Sequence, residues 1–227
     1  MLVVFYGKYS LRYKKCYDTI AKDSLIQTFE KGKHKRLSRT AKLIGKGYAR
    51  ILDVGCADGE LLEILGTNGL KVGLDISVVY LNIAKKKFDV ILADAENMPL
   101  RQGTFEAVVC SDLLEHVLNP ENVVEEIRRI LTNKGKAFFV VPWEEDLEIY
   151  KAMPYEFTHL RTFDKYSIRK LLRSFNILKS APVAAKSPAF HYLVPKFVRS
   201  ILWLLLPFYL KVRLFGILHL FIMAEKK

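Results

Sequence analysis

Four polar positions recur where short apolar runs end. Asp53 lies in Ile51–Val54, Asp75 closes Leu70–Asp75, Asp94 follows Phe88–Ala93, and Ser111-Asp112 follow Phe105–Cys110. If the runs are strands of one sheet, all four polar ends lie along its carboxyl edge, where open α/β sheets bind ligands. Carboxylates there accept hydrogen bonds from hydroxyls and amines and attract cationic groups. The turn after the first run, Gly55-Cys56-Ala57-Asp58-Gly59, opens a helix at Glu60. Backbone amides at such a helix start suit an anion. Asp53 and Asp58 oppose that, so a pyrophosphate is disfavoured and a ligand with cationic groups is not. Asp75 lies 22 residues after Asp53, a spacing suited to ribose hydroxyls.

Those positions need a scaffold, and the hydrophobic pattern supplies one. Apolar, β-branched runs alternate with helical stretches at Glu60–Gly66, Ser77–Lys87 and Pro120–Leu131, and another strand is expected at Ala137–Val141. Gly66 is expected to end the first helix. Asp112-Leu113-Leu114-Glu115 fits a capping box, which makes Asp112 a helix cap rather than a catalyst. Asp58 is also a candidate cap. Asp164 or Thr162 caps a helix from Lys165 to Ser174, and Asn176–Ala181 and Gly216–Ala224 read as the last two strands. The fold expected is α/β: a Rossmann-like, seven-stranded, mostly parallel sheet flanked by helices. Residues 1–48 form an N-terminal helical cap or arm, with Met1–Lys15 mobile, Tyr17–Lys46 helical, and Lys31–Arg36 interrupting that helix as an exposed turn. Residues 49–227 form the main domain.

Ile51-Leu-Asp-Val-Gly-Cys-Ala-Asp-Gly59, Val72-Gly-Leu-Asp-Ile-Ser77, Ala93-Asp-Ala-Glu-Asn-Met-Pro99 with Thr104-Phe-Glu-Ala-Val-Val109, and Ser111-Asp-Leu-Leu-Glu-His-Val117 resemble, in order, four motifs of class I S-adenosylmethionine-dependent methyltransferases. The branch most similar includes the ubiquinone and menaquinone biosynthetic enzymes. The resemblance covers about Ile51 to Val141, and Ala57 stands where the family often has Gly. It implies S-adenosylmethionine as cofactor. Asp53, with the backbone around Gly55 and Ser111, would hold the methionyl end, within a turn that includes Cys56 and Gly59. Asp75 would accept both ribose hydroxyls, Ile76 would lie against adenine, and Asp94 would accept from the adenine amine beside the Ala95 amide. His116 and His159 are the candidates for catalysis or acceptor orientation. His34, His191 and His219 are expected to be solvated or packed.

Methyl transfer is an in-line displacement that alignment and water exclusion can drive. A general base is needed only if the acceptor loses a proton, and no metal site is expected. Cys16, Cys56 and Cys110 are widely spaced without a CxxC pair, which excludes a disulfide scaffold and favours a reducing, cytoplasmic setting. Charge is segregated: 13 Lys/Arg against 3 Asp/Glu in residues 1–50, 9 against 18 in 51–150, and 14 against 3 in 151–227. The basic ends could face an anionic membrane or nucleic acid. An apolar segment, His191–Phe215 within an insertion at about 190–214, has only 11 residues, Ser200–Leu210, without charge. That is short of a membrane span, so an interfacial hairpin competes with a packed helix or lid. The expected acceptor is therefore a small molecule or lipid-like. The alternatives are RNA or protein methylation, for which no Asn-Pro-Pro-Tyr-type motif is present, and a non-catalytic relative that binds without turnover.

Overall fold

A computed structural model describes residues 4–5, 15–19, 21–22, 30–142, 159–184 and 218–227. The elements are β1 (Val4–Phe5), α1 (Glu30–Ile44), β2 (Arg50–Val54), α2 (Glu60–Ile64), β3 (Leu70–Asp75), α3 (Val78–Ala84), β4 (Asp89–Ala93), β5 (Phe105–Ser111), α4 (Pro120–Ile130), β6 (Leu131–Pro142), α5 (Lys165–Leu171), β7 (Phe175–Ala184) and β8 (Leu218–Lys226). The strand order is β1-β4-β3-β2-β5-β6-β8-β7. β2 through β6 pair in parallel, while β8 runs antiparallel between β6 and β7. The seven expected strands are all present. β1 adds two residues in parallel on the outer edge of β4, with Val4 beside Leu92 and Phe5 beside Ala93, so part of the expected mobile arm is a sheet edge.

Alternation along the strands builds two cores. Leu52 and Val54 face one side, with Val123, Val124, Ile127 and Ile130 of α4 and Ile168 of α5. Ile51, Val109, Phe138 and Phe221 face the other, with Leu37, Ala41 and Ile44 of α1 and Leu61, Leu62 and Leu81. The direction of the polypeptide crossovers reverses between β2 and β5, and this switch point places the loops after β2 and β5 side by side at the carboxyl edge.

Several local expectations are corrected. Lys31–Arg36 is not a turn: α1 runs through it unbroken. Lys and Arg are good helix formers and one interior Gly costs only ~1 kcal/mol, which burial of Leu37, Ala41 and Ile44 on one face offsets. α2 ends at Ile64 with Leu65 extended; Leu65 goes into the core, at 2% exposed, so Gly66 does not serve as the left-handed stop. α3 is shorter than expected, capped by Ser77 and ending at Ala84. No helix starts at Asp112, and residues 114–116 form an isolated turn, so Asp112 is not an N-cap. β6 begins at Leu131, because the chain passes straight from α4 into pairing with Phe105. Asp164, not Thr162, caps α5, accepting from the Tyr166 and Ser167 amides while Ser167 Oγ accepts from the Asp164 amide. The apolar segment 191–215 and most of the connection after Pro142 lie outside the described residues. No helix among the described residues is long and apolar enough to cross a membrane.

Candidate active site

The turn after β2 is built by its backbone. The Gly55 and Cys56 amides donate to Leu74 O at 2.7 and 3.0 Å, and the Gly59 amide donates to Cys56 O at 2.9 Å. Gly55, Ala57 and Gly59 all have positive φ, +79°, +46° and +82°. A side chain at Gly59 would also meet Ala84 Cβ at 3.2 Å. Ala57 occupies a backbone region that favours glycine. It is held there by its amide, which donates to Asp75 Oδ2 at 2.9 Å.

The expected cofactor residues converge at the carboxyl edge. Asp53 is 2% exposed in β2. The other Asp75 oxygen accepts from the Ser77 amide at 2.8 Å, so the carboxylate is oriented by amides on both sides. Burial pushes Asp75 up from the ordinary carboxylate range, and amides of Ser77, Ala57 and Ile76 pull it back. Asp94 Oδ1 accepts from the Glu96 amide at 2.9 Å, burial pushes its carboxyl up, and Ala95 is buried beside it. Ser111 Oγ donates to Asp112 Oδ2 at 2.9 Å. The Cys56 and Cys110 thiols are buried and pushed well up by that burial and by nearby carboxylates, while Cys16 is exposed. A ligand carrying a ribose diol, an amine and cationic groups fits this donor set: the edge presents carboxylates, and Asp53 and Asp75 flank the turn.

Beyond Ser111 the chain was less legible. Asp112 sits at φ +53° and is the centre of an ion network. Arg36 of α1 donates to its Oδ2, and His219 Nε2 of β8 lies 3.1 Å from its Oδ1. Burial alone would raise the Asp112 carboxyl, but the charges and hydrogen bonds of Arg36 and His219 overcome it and hold the group far below the usual range. His219 therefore lies against a carboxylate rather than being merely a packed ring, and the sequence holds no local signal linking positions 36, 112 and 219. His34, expected to be solvated or packed, is exposed and lies 2.9 Å from Glu60; His191 is outside the described residues.

Glu115, expected as the far end of a capping box, is fully buried, and neither of its oxygens meets a hydrogen-bond donor of another described residue. Burial and the Asp112 charge push it well up. The two histidines do meet: His116 and His159 pack edge to face with centroids 4.6 Å apart, and Tyr17 meets His116 at 6.1 Å. Burial, and then the neighbouring His116, lower His159 to about 4, so it is a neutral imidazole at pH 7. Arg161 fixes the turn beneath them, donating to Leu114 O, Val117 O and Leu118 O, and the Leu160 amide donates to Glu115 O at 2.8 Å. Candidate ligand atoms of Glu115, His116 and His159 lie within 4.8 Å of one another.

Residues 52–139, which hold the glycine turn and the acidic strand ends, match a family model described as a methyltransferase domain. Over these residues the chain is similar to class I S-adenosylmethionine-dependent methyltransferases. The chain is 36% identical over 114 residues to the ubiquinone biosynthesis O-methyltransferase of Dechloromonas aromatica, an alignment covering 45% of this chain and 47% of that protein. The chain thus spans about half the length of the curated relatives it matches. Among solved structures it is similar to an S-adenosylmethionine-dependent methyltransferase from Archaeoglobus fulgidus (TM-score 0.66, 20% identity, 84% and 92% of the two chains). It is also similar to the [4+2]-cyclase SpnF (TM-score 0.67, 18% identity, 99% of each). At these identities the two structures establish the fold alone.

Proposed function

We propose that the protein transfers a methyl group from S-adenosylmethionine to a small-molecule or lipid-like acceptor, with an oxygen of that acceptor as the nucleophile. The observation that carries this reading is the series of polar strand ends, Asp53, Asp75, Asp94 and Ser111, ordered along one sheet edge beside the Gly55–Gly59 turn. Asp53 and the backbone of Gly55 and Ser111 would hold the methionyl end, with Cys56 and Gly59 completing the turn. Asp75 would hold the ribose hydroxyls, and Ile76, Asp94 and Ala95 would hold adenine. When bound, S-adenosylmethionine would supply an electrophilic methyl on a sulfonium for the acceptor oxygen to take, with the electron pair of the C–S bond returning to sulfur. The chain's own contribution is alignment, exclusion of water and custody of one proton. His159, neutral at pH 7, would take the acceptor's proton, and His116 would support it at ring-contact distance. The O-methyltransferase name of the Dechloromonas relative supports an oxygen acceptor.

The test is calorimetric titration with S-adenosylmethionine and S-adenosylhomocysteine. Micromolar binding is expected, followed by turnover on a panel of hydroxylated small molecules and lipids. A folded protein that binds neither ligand would overturn the reading. Saturable binding without turnover on any acceptor would favour the second reading, a relative of the fold that transfers no methyl, which the similarity to SpnF keeps in view. The basic segments at both ends favour an anionic acceptor or one presented at an anionic surface. Co-sedimentation with anionic but not neutral vesicles would support the membrane form of that statement.

A further inference from the structure

The described residues 15–19 and 34–44 precede the matched domain, and four of them touch its carboxyl edge. Tyr17 packs against His116. The Asp18 carboxylate accepts from Ser77 Oγ at 2.7 Å and from the Val79 amide at 3.4 Å, just past Asp75. His34 meets Glu60 at the start of α2, and Arg36 meets Asp112 just past Ser111. The His34 contact is exposed, with 65% of the imidazole open, whereas the Arg36 and Asp112 side chains are only 17% and 22% open.

We propose that Arg36 is a positioning residue of the cofactor edge: by holding the Asp112 carboxylate it fixes the turn after β5 and latches the N-terminal segment over the site. This rests on the methyltransferase reading for the identity of the ligand. Asp112 adopts a backbone conformation that is unfavourable for a residue with a side chain. Its position is set by its amide to Val140 O at 2.9 Å, by Ser111 Oγ and His219, and by Arg36. Removal of the guanidinium leaves a partly buried carboxylate short of compensating charge, which is the costly way to break such a pair. The carboxylate then either takes up a proton or swings the turn toward water. Either response moves Ser111, one residue before it, and Glu115 and His116, three and four residues after it. Arg36 thus acts on the site through Asp112, without needing to touch either substrate.

The experiment compares the full-length wild type with Arg36→Ala and Arg36→Lys by titration with S-adenosylhomocysteine and by limited proteolysis. Arg36→Ala is expected to weaken binding at least about tenfold and to speed cleavage within α1 while residues 50–142 stay resistant. Arg36→Lys should fall between it and wild type, since an ammonium supplies charge but not the planar fork. Added guanidinium at millimolar concentration should restore affinity to the Ala variant, which a merely stabilising role would not predict. A folded Arg36→Ala protein with wild-type affinity and wild-type cleavage overturns the proposal. If that variant does not fold, Asp112→Asn is measured in its place, with weakened binding expected and wild-type affinity overturning it. Absence of binding in the wild type would sink the cofactor reading instead, and the cleavage comparison would still decide the latch.

Discussion

The two halves of the site are built by different means. The half proposed to hold the cofactor, from Asp53 to Ser111, is drawn from one unbroken stretch of chain in which backbone amides orient carboxylates: Ala57 and Ser77 on Asp75, Glu96 on Asp94. The half beyond Ser111 is drawn from four distant places, with Arg36, Asp112, His159 and His219 meeting through side-chain charge and ring contacts. Local hydrogen bonds set the geometry of the first half. The second half depends on tertiary docking, and through Asp112, which follows Ser111 directly, a change there is expected to reach the cofactor edge as well.

That contrast can be broken most forcefully at Asp75. Asp75→Ala removes the proposed ribose acceptor and the partner of two amides. Hydrogen bonds to a charged group are worth about 1.5–3 kcal/mol each, so affinity for S-adenosylhomocysteine should fall roughly 100-fold in calorimetry, and an unchanged Kd would show that the edge does not hold the ribose. Next in size is Gly73→Ala in β3. Its added Cβ would meet Cys56 Sγ at 2.6 Å, an overpacking expected to cost about 1–3 kcal/mol and to lower the melting temperature. If the first half is as rigid as its packing implies, cofactor affinity should drop alongside.

A smaller effect probes the second half. His159 titrates lower when folded, about 4 against an ordinary 6.5, so protonation favours unfolding. Its contribution is complete above pH 6.5 and is lost as the pH falls from 6.5 toward 4. Urea midpoints measured across that window should decline, and His159→Gln should flatten the decline. Asp112 acts on the acid side too: its depressed carboxyl stabilises the fold above the ordinary carboxylate range and ceases to do so below it. Glu115 has the opposite sign, because its raised carboxyl stabilises the protonated fold, and that contribution fades as the pH climbs through its elevated pKa. The smallest change expected is a gain. Ala57→Gly relieves a left-handed residue and should stabilise by about 0.5–1 kcal/mol, read as a rise in the urea midpoint.

The difference in construction also explains what could be read from the residues in order. Strand positions, the glycine turn and the acidic ends follow from alternation and spacing over a few residues, and Leu70–Asp75 falls where the pattern puts it. Arg36 sits in a stretch whose Lys-Gly-Lys composition reads as a turn, and only burial of Leu37, Ala41 and Ile44 against the sheet keeps it helical. Asp112-Leu-Leu-Glu115 has the spacing of a capping box, but the ion network takes Asp112 and the core takes Glu115. Arg161 stands 43 or more positions from the carbonyls it holds. Partnerships set by long-range topology leave no periodicity in the chain.

The distribution of thiols has a practical consequence. Cys56 and Cys110 are closed off in the core, and only Cys16 is open to a reagent. It sits one residue before Tyr17, on the segment that Arg36 is proposed to fasten. A maleimide fluorophore added to the unmutated protein would therefore attach at one address and report, through its emission or quenching, when that segment lifts and when it settles.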